Sequence, residues 1–251
     1  MSRPIKSSDL LLLDPRLEVV KLDSYQLTET VIWQAGKGDY SEIPIHHIKP
    51  PSPQECGEWI VKELLANERG HWGPLEHPQI TFSVAGFVHS VMVQSRTHRI
   101  GTSWDVQSQR YTGKRVVKVA DGLLDAEDVF YVRPAGFYTN RQGKKYEWTQ
   151  EHRERKLKRI VDECSEYADY YRSGKCEEHI RDYLPQAIRQ NFVVSFNLRS
   201  ILHFIDLRAK LDAQIEVQAL CDAFEPHMEQ WAPNVWNYYK EKRLHKARLS
   251  P

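Results

Sequence analysis

The 251-residue sequence predicts an α+β protein, one domain that mixes short strands with amphipathic helices. Three observations carry that reading. A chain of this length with 41% hydrophobic residues can bury a substantial core as one unit. Ile80, Phe82 and Val84 alternate with Thr81 and Ser83, the period of a half-buried strand. Between Glu151 and Arg172, Leu157, Ile160, Val161, Cys164, Ala168 and Tyr171 fall on one stripe at helical spacing.

Leu10 to Leu13 is a leucine run ended by Asp14-Pro15, too short for a signal-peptide core or a membrane span. Leu17 to Leu22 reads as a short strand. Residues 34 to 56 hold Gly36, Gly38, Pro44, Pro50, Pro51 and Pro53 and predict a long irregular connection. The His46-His47 pair inside it has no Cys or carboxylate partner at metal-ligand spacing, so no metal site is expected. Cys56 to Asn67 has helical spacing at Trp59, Ile60, Glu63 and Leu64 and closes at Arg69-Gly70. His71 to His77 is too rich in turn formers to continue that helix. After the strand at 80 to 84, Gly86 is a break, and Phe87, Val88, Val91 and Met92 suit a helix delivering Gln94 to Arg99. Residues 112 to 147 predict one strand, Val129 to Val132, among glycine and proline turns. Phe192 to Leu207 is apolar on most sides and predicts a buried helix. A further helix from Leu211 and another from Trp231 to Lys242 close the chain.

Lys+Arg 35 against Asp+Glu 34 leaves a formal net charge of +1, which argues against a general nucleic-acid binder. Any anion site must therefore be local. The Glu151 to Arg159 charge run interleaves acids with bases, as a solvated helix face does. Cys56, Cys164, Cys176 and Cys221 are scattered with no CxxC pair, so neither a zinc site nor a disulfide framework is expected. A reduced, cytoplasmic protein without a membrane segment is the simplest account.

Two stretches carry chemistry. Gln94 to Tyr111 packs Arg96, His98, Arg99 and Arg110 among Gln, Ser and Thr. Guanidinium forks match phosphate oxygens and ring carbonyls, although a solvated loop with surface arginines would read the same way. Further on, Asn197, Arg199, His203 and Arg208 interrupt the apolar 192 to 207 run. Buried polar groups cost free energy unless partnered. Asn197 and Arg208 are eleven residues apart, roughly 16 Å along a helix. Such a row of donors suits an extended ligand such as a dinucleotide; an internal network with Asp206, Asp212 and Glu216 is the alternative.

These blocks resemble the flavin-dependent thymidylate synthases. The family hallmark, Arg-His-Arg, a spacer, then Ser-x-Arg-Tyr, stands here as Thr97-His98-Arg99, Ile100 to Gln107, and Ser108-Gln109-Arg110-Tyr111. Gly70-His71 with Pro74-Leu75-Glu76-His77 is similar to the upstream Gly-His-x-x-Pro-x-Glu-His. Leu184-Pro185, Asn197-x-Arg199-Ser200-x-x-His203-Phe204-x-x-x-Arg208 and Ala213-Gln214-x-Glu216 are similar to the downstream segment. The resemblance is clearest over residues 56 to 230 of a domain taken as residues 1 to 251. The first hallmark arginine is replaced by Thr97, with Arg96 directly before it, so either of the two could meet the ligand phosphate.

The resemblance implies a central, mainly antiparallel sheet flanked by helices. It implies reductive methylation of deoxyuridylate (dUMP) to thymidylate (dTMP) without a cysteine nucleophile. Methylenetetrahydrofolate would be the carbon donor, NADPH or NADH the reductant and FAD the hydride carrier. By the same carry-over Arg208 activates the uracil ring, and His71 and Glu76 sit near the flavin. Thr97, His98, Arg99, Asn197, Arg199 and His203 lie along FAD. Gln107, Ser108, Gln109 and Arg110 grip the nucleotide phosphate, with Gln94, Arg96 and Arg181 completing that pocket. The family's homotetramers share active sites between subunits. A non-catalytic nucleotide-binding paralogue, its FAD site weakened at Thr97, is the alternative.

Overall fold

A computed structural model describes residues 3–246. Among the described residues there are six strands: β1 (Glu18–Ser24), β2 (Gln79–Val88), β3 (Thr102–Val106), β4 (Gly136–Thr139), β5 (Lys145–Trp148) and β6 (Arg189–Asn197). The helices before β3 are α1 (Ser7–Leu13), α2 (Thr28–Gly38), α3 (Pro53–Ile60) and α4 (His89–Ser95). After it come α5 (Lys114–Ala120), α6 (Ala126–Val129), α7 (Gln150–Arg172), α8 (Glu177–Ile180), α9 (Leu198–Arg208), α10 (Ile215–Trp231) and α11 (Pro233–Lys242).

The main sheet has the order β1-β2-β6-β3, every neighbouring pair antiparallel. This is the α+β arrangement that the family resemblance implies. Ile80, Phe82 and Val84 on β2, with Phe192, Val194 and Phe196 on β6, turn one face onto α9 and α10. Phe82 meets Phe224 at 4.7 Å and Phe196 meets Phe204 at 5.6 Å between ring centroids. A second apolar cluster joins Val116, Phe130, Ile160, Cys164, Tyr167 and Ile188 beneath α7.

Several local expectations need correction. Phe192 to Leu207 is not one helix: β6 runs to Asn197, and α9 begins at Leu198. Asn197 Oδ1 accepts from Ser200 N at 2.8 Å, so it caps the helix that follows a strand. Gly86 does not end β2. It sits at φ +79 where the β2/β6 register slips between Val84 and Phe87, and Asn191 Oδ1 accepts its N–H at 3.1 Å. The strand resumes through Phe87 and Val88 before α4. This is a bulge, which glycine admits without breaking the pairing.

Residues 34 to 38 complete α2, whose inner side buries Glu29, Ile32 and Trp33, and residues 45 to 47 form a 3₁₀ turn. Val129 to Val132 is no strand; Val129 ends α6 and Phe130 makes a single bridge to Ile188. The strands of that region are the β4–β5 hairpin, whose turn is closed by Asn140 Oδ1 accepting from the N–H groups of Gln142 and Lys144. On α7, Tyr167 is buried and Val161 is 39% exposed, so the stripe lies slightly round the helix from the expected one. No helix among the described residues is long and apolar enough to cross a membrane.

Candidate active site

α9 and the loop after α4 face each other across a groove of about 700 Å³. Glu76, Thr97, His98, Arg99, Ile100, Arg199, Ser200, His203, Leu207 and Arg208 line it. Helical spacing puts Arg199 and His203 one turn apart on α9, with Arg208 at its last residue. The loop is held against the start of α9 at Gly101, φ +64. A Cβ there would lie 2.3 Å from both Asn197 Nδ2 and Ser200 Oγ. Gly101 O accepts from Asn197 N at 2.9 Å, and Ser200 Oγ donates to Ile100 O at 2.8 Å.

Arg208 is fixed on three sides. Its Nε donates to His98 Nε2 at 3.0 Å, and its Nη2 donates to Gln94 O and to Thr97 Oγ1, each at 3.1 Å. All three acceptors are neutral. Of the three acids weighed from sequence, Asp212 is exposed and makes no ion pair with Arg208, and the other two are engaged elsewhere. Asp206 takes Tyr239 Oη at 2.7 Å and Arg243 at 2.8 Å, and Glu216 takes Arg133. Among the described residues, Arg199 alone of the α9 arginines meets a carboxylate, Glu76 at 2.6 Å. The internal ion-pair network weighed from sequence therefore does not account for Arg208.

His98 is 9% exposed, against the rings of His203 at 5.4 Å and Phe204 at 5.0 Å. Burial first, then the charge of Arg208 and the neighbouring His203, pushes its pKa down to about 4. A neutral imidazole that accepts at Nε2 carries its proton on Nδ1. Burial also lowers the Arg208 pKa, but a guanidinium stays charged at working pH. His203 Nδ1 is buried with no hydrogen-bond partner among the described residues, a polar atom left for something else to meet.

The sequence-predicted residues divide between places. Thr97, His98, Arg99, Glu76, Arg199, His203 and Arg208 share the groove. Asn197 adjoins it as the α9 cap. Thr97 lines the groove and Arg96 does not. Ser108, Gln109 and Arg110 form a turn outside it, with Ser108 Oγ accepting from Arg110 N at 3.3 Å and Arg110 paired to Glu178 at 3.3 Å. Gln107 precedes that turn, its Oε1 buried and without a partner among the described residues. Arg181 follows α8 in a 3₁₀ turn. His71 lies against Tyr40 Oη at 3.4 Å and Asp39 at 3.5 Å, away from the groove lining. Gln94 joins the groups, its backbone on Arg208 and its side chain on Gln214 at 2.5 Å.

Sequence reasoning missed Ile100, Ser200 and Leu207 as lining residues. Their place in the quoted blocks, beside Arg99, Arg199 and Arg208, was the signal available. Buried Cys56, Cys164 and Cys221 have thiols raised by burial, Cys164 to about 12, and none lines the groove.

A family model described as thymidylate synthase complementing protein matches residues 21–234. A flavin-dependent thymidylate synthase of Halobacterium salinarum is 31% identical over 248 residues, spanning 94% of this chain and 100% of the relative. One of Haloarcula marismortui is 30% identical over 250 residues with the same coverage. Among solved structures, the UMP/dUMP methylase PolB of Streptomyces cacaoi, bound with 5-Br dUMP, superposes with TM-score 0.68. It is 19% identical and covers 94% of this chain and 97% of its own. Thymidylate synthase X of Helicobacter pylori, with FAD and dUMP, superposes with TM-score 0.66 at 18% identity, covering 87% and 99%. At those identities the structural likeness speaks for the fold.

Proposed function

The chain belongs to the flavin-dependent thymidylate synthases, the thymidylate synthase complementing protein family, and on that premise we propose that it converts dUMP to dTMP. Methylenetetrahydrofolate is the carbon donor in this reading, NADPH the reductant and FAD the resident cofactor. The observation that carries it is Arg208, a fixed cation whose hydrogen bonds all go to neutral acceptors at the edge of a groove.

The groove fits a long, phosphorylated flavin in its chemistry. It offers the guanidinium of Arg99 for phosphates, the Arg199–Glu76 pair beside it, apolar Ile100 and Leu207, and His203 Nδ1, which has no hydrogen-bond partner among the described residues. Thr97, His98, Arg99, Glu76, Asn197, Arg199 and His203 would hold the cofactor, which supplies a hydride carrier when bound. The protein's own part is to bind and polarise. Arg208, aimed by His98, Gln94 and Thr97, would donate to the uracil edge and favour the ring's anionic form, making carbon 5 nucleophilic. A charge fixed in advance against a developing anion is a large catalytic contribution. Neutral His98 keeps that charge undiminished, because an imidazolium could not accept from Arg208 and would repel it.

Gln107, Ser108, Gln109, Arg110, Arg181 and Gln94 would form the nucleotide pocket, with Arg96 beside it, and His71 would act near the flavin. The separation of Ser108, Gln109, Arg110 and Arg181 from the groove within one chain supports a homotetramer whose subunits complete each other's sites. No cysteine attacks the substrate in this account. We take residues 1–251 as one domain, of which 1, 2 and 247–251 lie outside the described residues.

The test is a product assay on the purified, FAD-loaded protein with dUMP and NADPH, with and without methylenetetrahydrofolate. Thymidylate should form only with the folate present. A protein that binds dUMP and never releases thymidylate is the non-catalytic paralogue instead.

A further inference from the structure

Gln214 stands at the N-cap position of α10 and lies outside the groove, yet its side chain touches Gln94. Its Oε1 accepts from Gln94 Nε2 at 2.5 Å, and its Nε2 donates to Glu216 Oε2 at 2.8 Å. Ser90 Oγ accepts from Gln214 Nε2 at 3.1 Å and lies 3.3 Å from Gln214 Oε1, to which it can donate. Glu216 is 1% exposed, and its Oε1 takes both Nε and Nη2 of Arg133, at 2.9 and 2.6 Å. Arg133 Nη1 continues the line to Tyr146 Oη at 3.0 Å.

A glutamine amide has nearly the same shape either way round, so only its neighbours decide which end faces where. Here they do. A carboxylate paired with a guanidinium can only accept. It draws the NH₂ end of Gln214 toward itself, which turns the Gln214 oxygen to Gln94, with the Ser90 hydroxyl as a second, longer donor. Gln94 must then turn its own NH₂ end to Gln214, and its Oε1 is left for a donor elsewhere. Hydrogen-bond polarity set at the buried ion pair thus passes through two amides.

We infer that Gln214, oriented by the Glu216–Arg133 pair, is a positioning residue that makes Gln94 present its carbonyl oxygen to a donor on the nucleoside. A nucleoside offers such donors as ring N–H and sugar hydroxyl; a phosphate at working pH offers none. This rests on the proposed placing of Gln94 in the nucleotide pocket and adds what its contact is and what sets it.

A double-mutant cycle tests it, with dUMP affinity measured by calorimetry on FAD-loaded protein. Gln94→Met and Gln214→Met should each weaken dUMP about tenfold, and the double variant should be no weaker than either single one. Phosphate-free deoxyuridine should lose the same factor on Gln94→Met. Gln214→Glu gives a readout that a merely structural role would not move. Protonated, its carboxyl copies the glutamine, donating to Glu216 and offering a carbonyl to Gln94; ionised, it faces Glu216. Its dUMP affinity should approach the parent's at low pH and fall as pH rises, and this profile decides the matter if Gln214→Met does not fold. Additive losses, a silent Gln214→Met or a parent-like pH profile for Gln214→Glu would overturn the inference alone. So would a penalty confined to the phosphorylated ligand. If Gln94→Met binds dUMP like the parent, the placing of Gln94 fails and the inference fails with it.

Discussion

At the scale of single residues, charge compensation decides what each polar group can do. Arg199 spends its charge on Glu76, whereas Arg208 meets an imidazole, a carbonyl and a hydroxyl. Arg208→Ala should therefore lower kcat by about 10²–10³-fold while flavin content is retained, as removal of a preorganised donor does. Turnover at the parent's rate would remove Arg208 from the chemistry. Arg208→Lys should restore little, because three acceptors in different directions match a planar fork and not a point charge. His98 carries a stability consequence. Its folded pKa of about 4 lies below its ordinary 6.5, so between these values the unfolded chain binds a proton that the folded chain refuses. Stability is full above pH 6.5 and falls as pH drops through that window, by about 2–3 kcal/mol from this group. Urea denaturation from pH 7 to 4 should show a shallower loss for His98→Gln than for the parent. Equal slopes would mean that His98 takes up its proton without opposition.

At the scale of elements, the sequence was legible where one period ran uninterrupted and obscure where two met. The α7 stripe and the 80 to 84 alternation were readable because burial faces one side. Phe192 to Leu207 was not, because a strand buried on one face and half-buried on the other runs directly into a helix buried almost all round. Asn197 marks the seam, and an N-cap residue after a β-branched run was the clue. The groove residues were legible through the spacing of whole blocks. That His98, Thr97 and the Gln94 carbonyl hold Arg208 was not legible, since a loop supplies them to a helix far along the chain. Gly86 shows how much one position can hold. An alanine Cβ there would come within 1.8 Å of Arg16 O, at a φ of +79 that side chains disfavour. Gly86→Ala should cost at least about 2–3 kcal/mol in chemical denaturation. A loss below about 1 kcal/mol would show that the Arg16 segment yields easily.

At the scale of the whole molecule, one buried contact ties distant parts together. Arg189, 2% exposed, donates to Asp14 Oδ2 at 2.6 Å, to Gly86 O at 2.7 Å and to Glu127 O at 2.7 Å. It thereby links the end of α1, the β2 bulge, α6 and the sheet. Removing one partner of a buried ion pair strands the other, so Asp14→Ala should lose about 3–5 kcal/mol in urea titration. If the loss is that of a surface pair, the N-terminal segment is an accessory and not part of the frame. The groove shows the converse, charge deliberately left over. Its lining carries Arg99, Arg199 and Arg208 against Glu76, while the chain as a whole is formally +1. Bulk behaviour would then hide the slot. The protein should drift through ordinary ion exchangers near neutral pH, cling to a sulfonated dye resin at low salt, and come off when free mononucleotides are added.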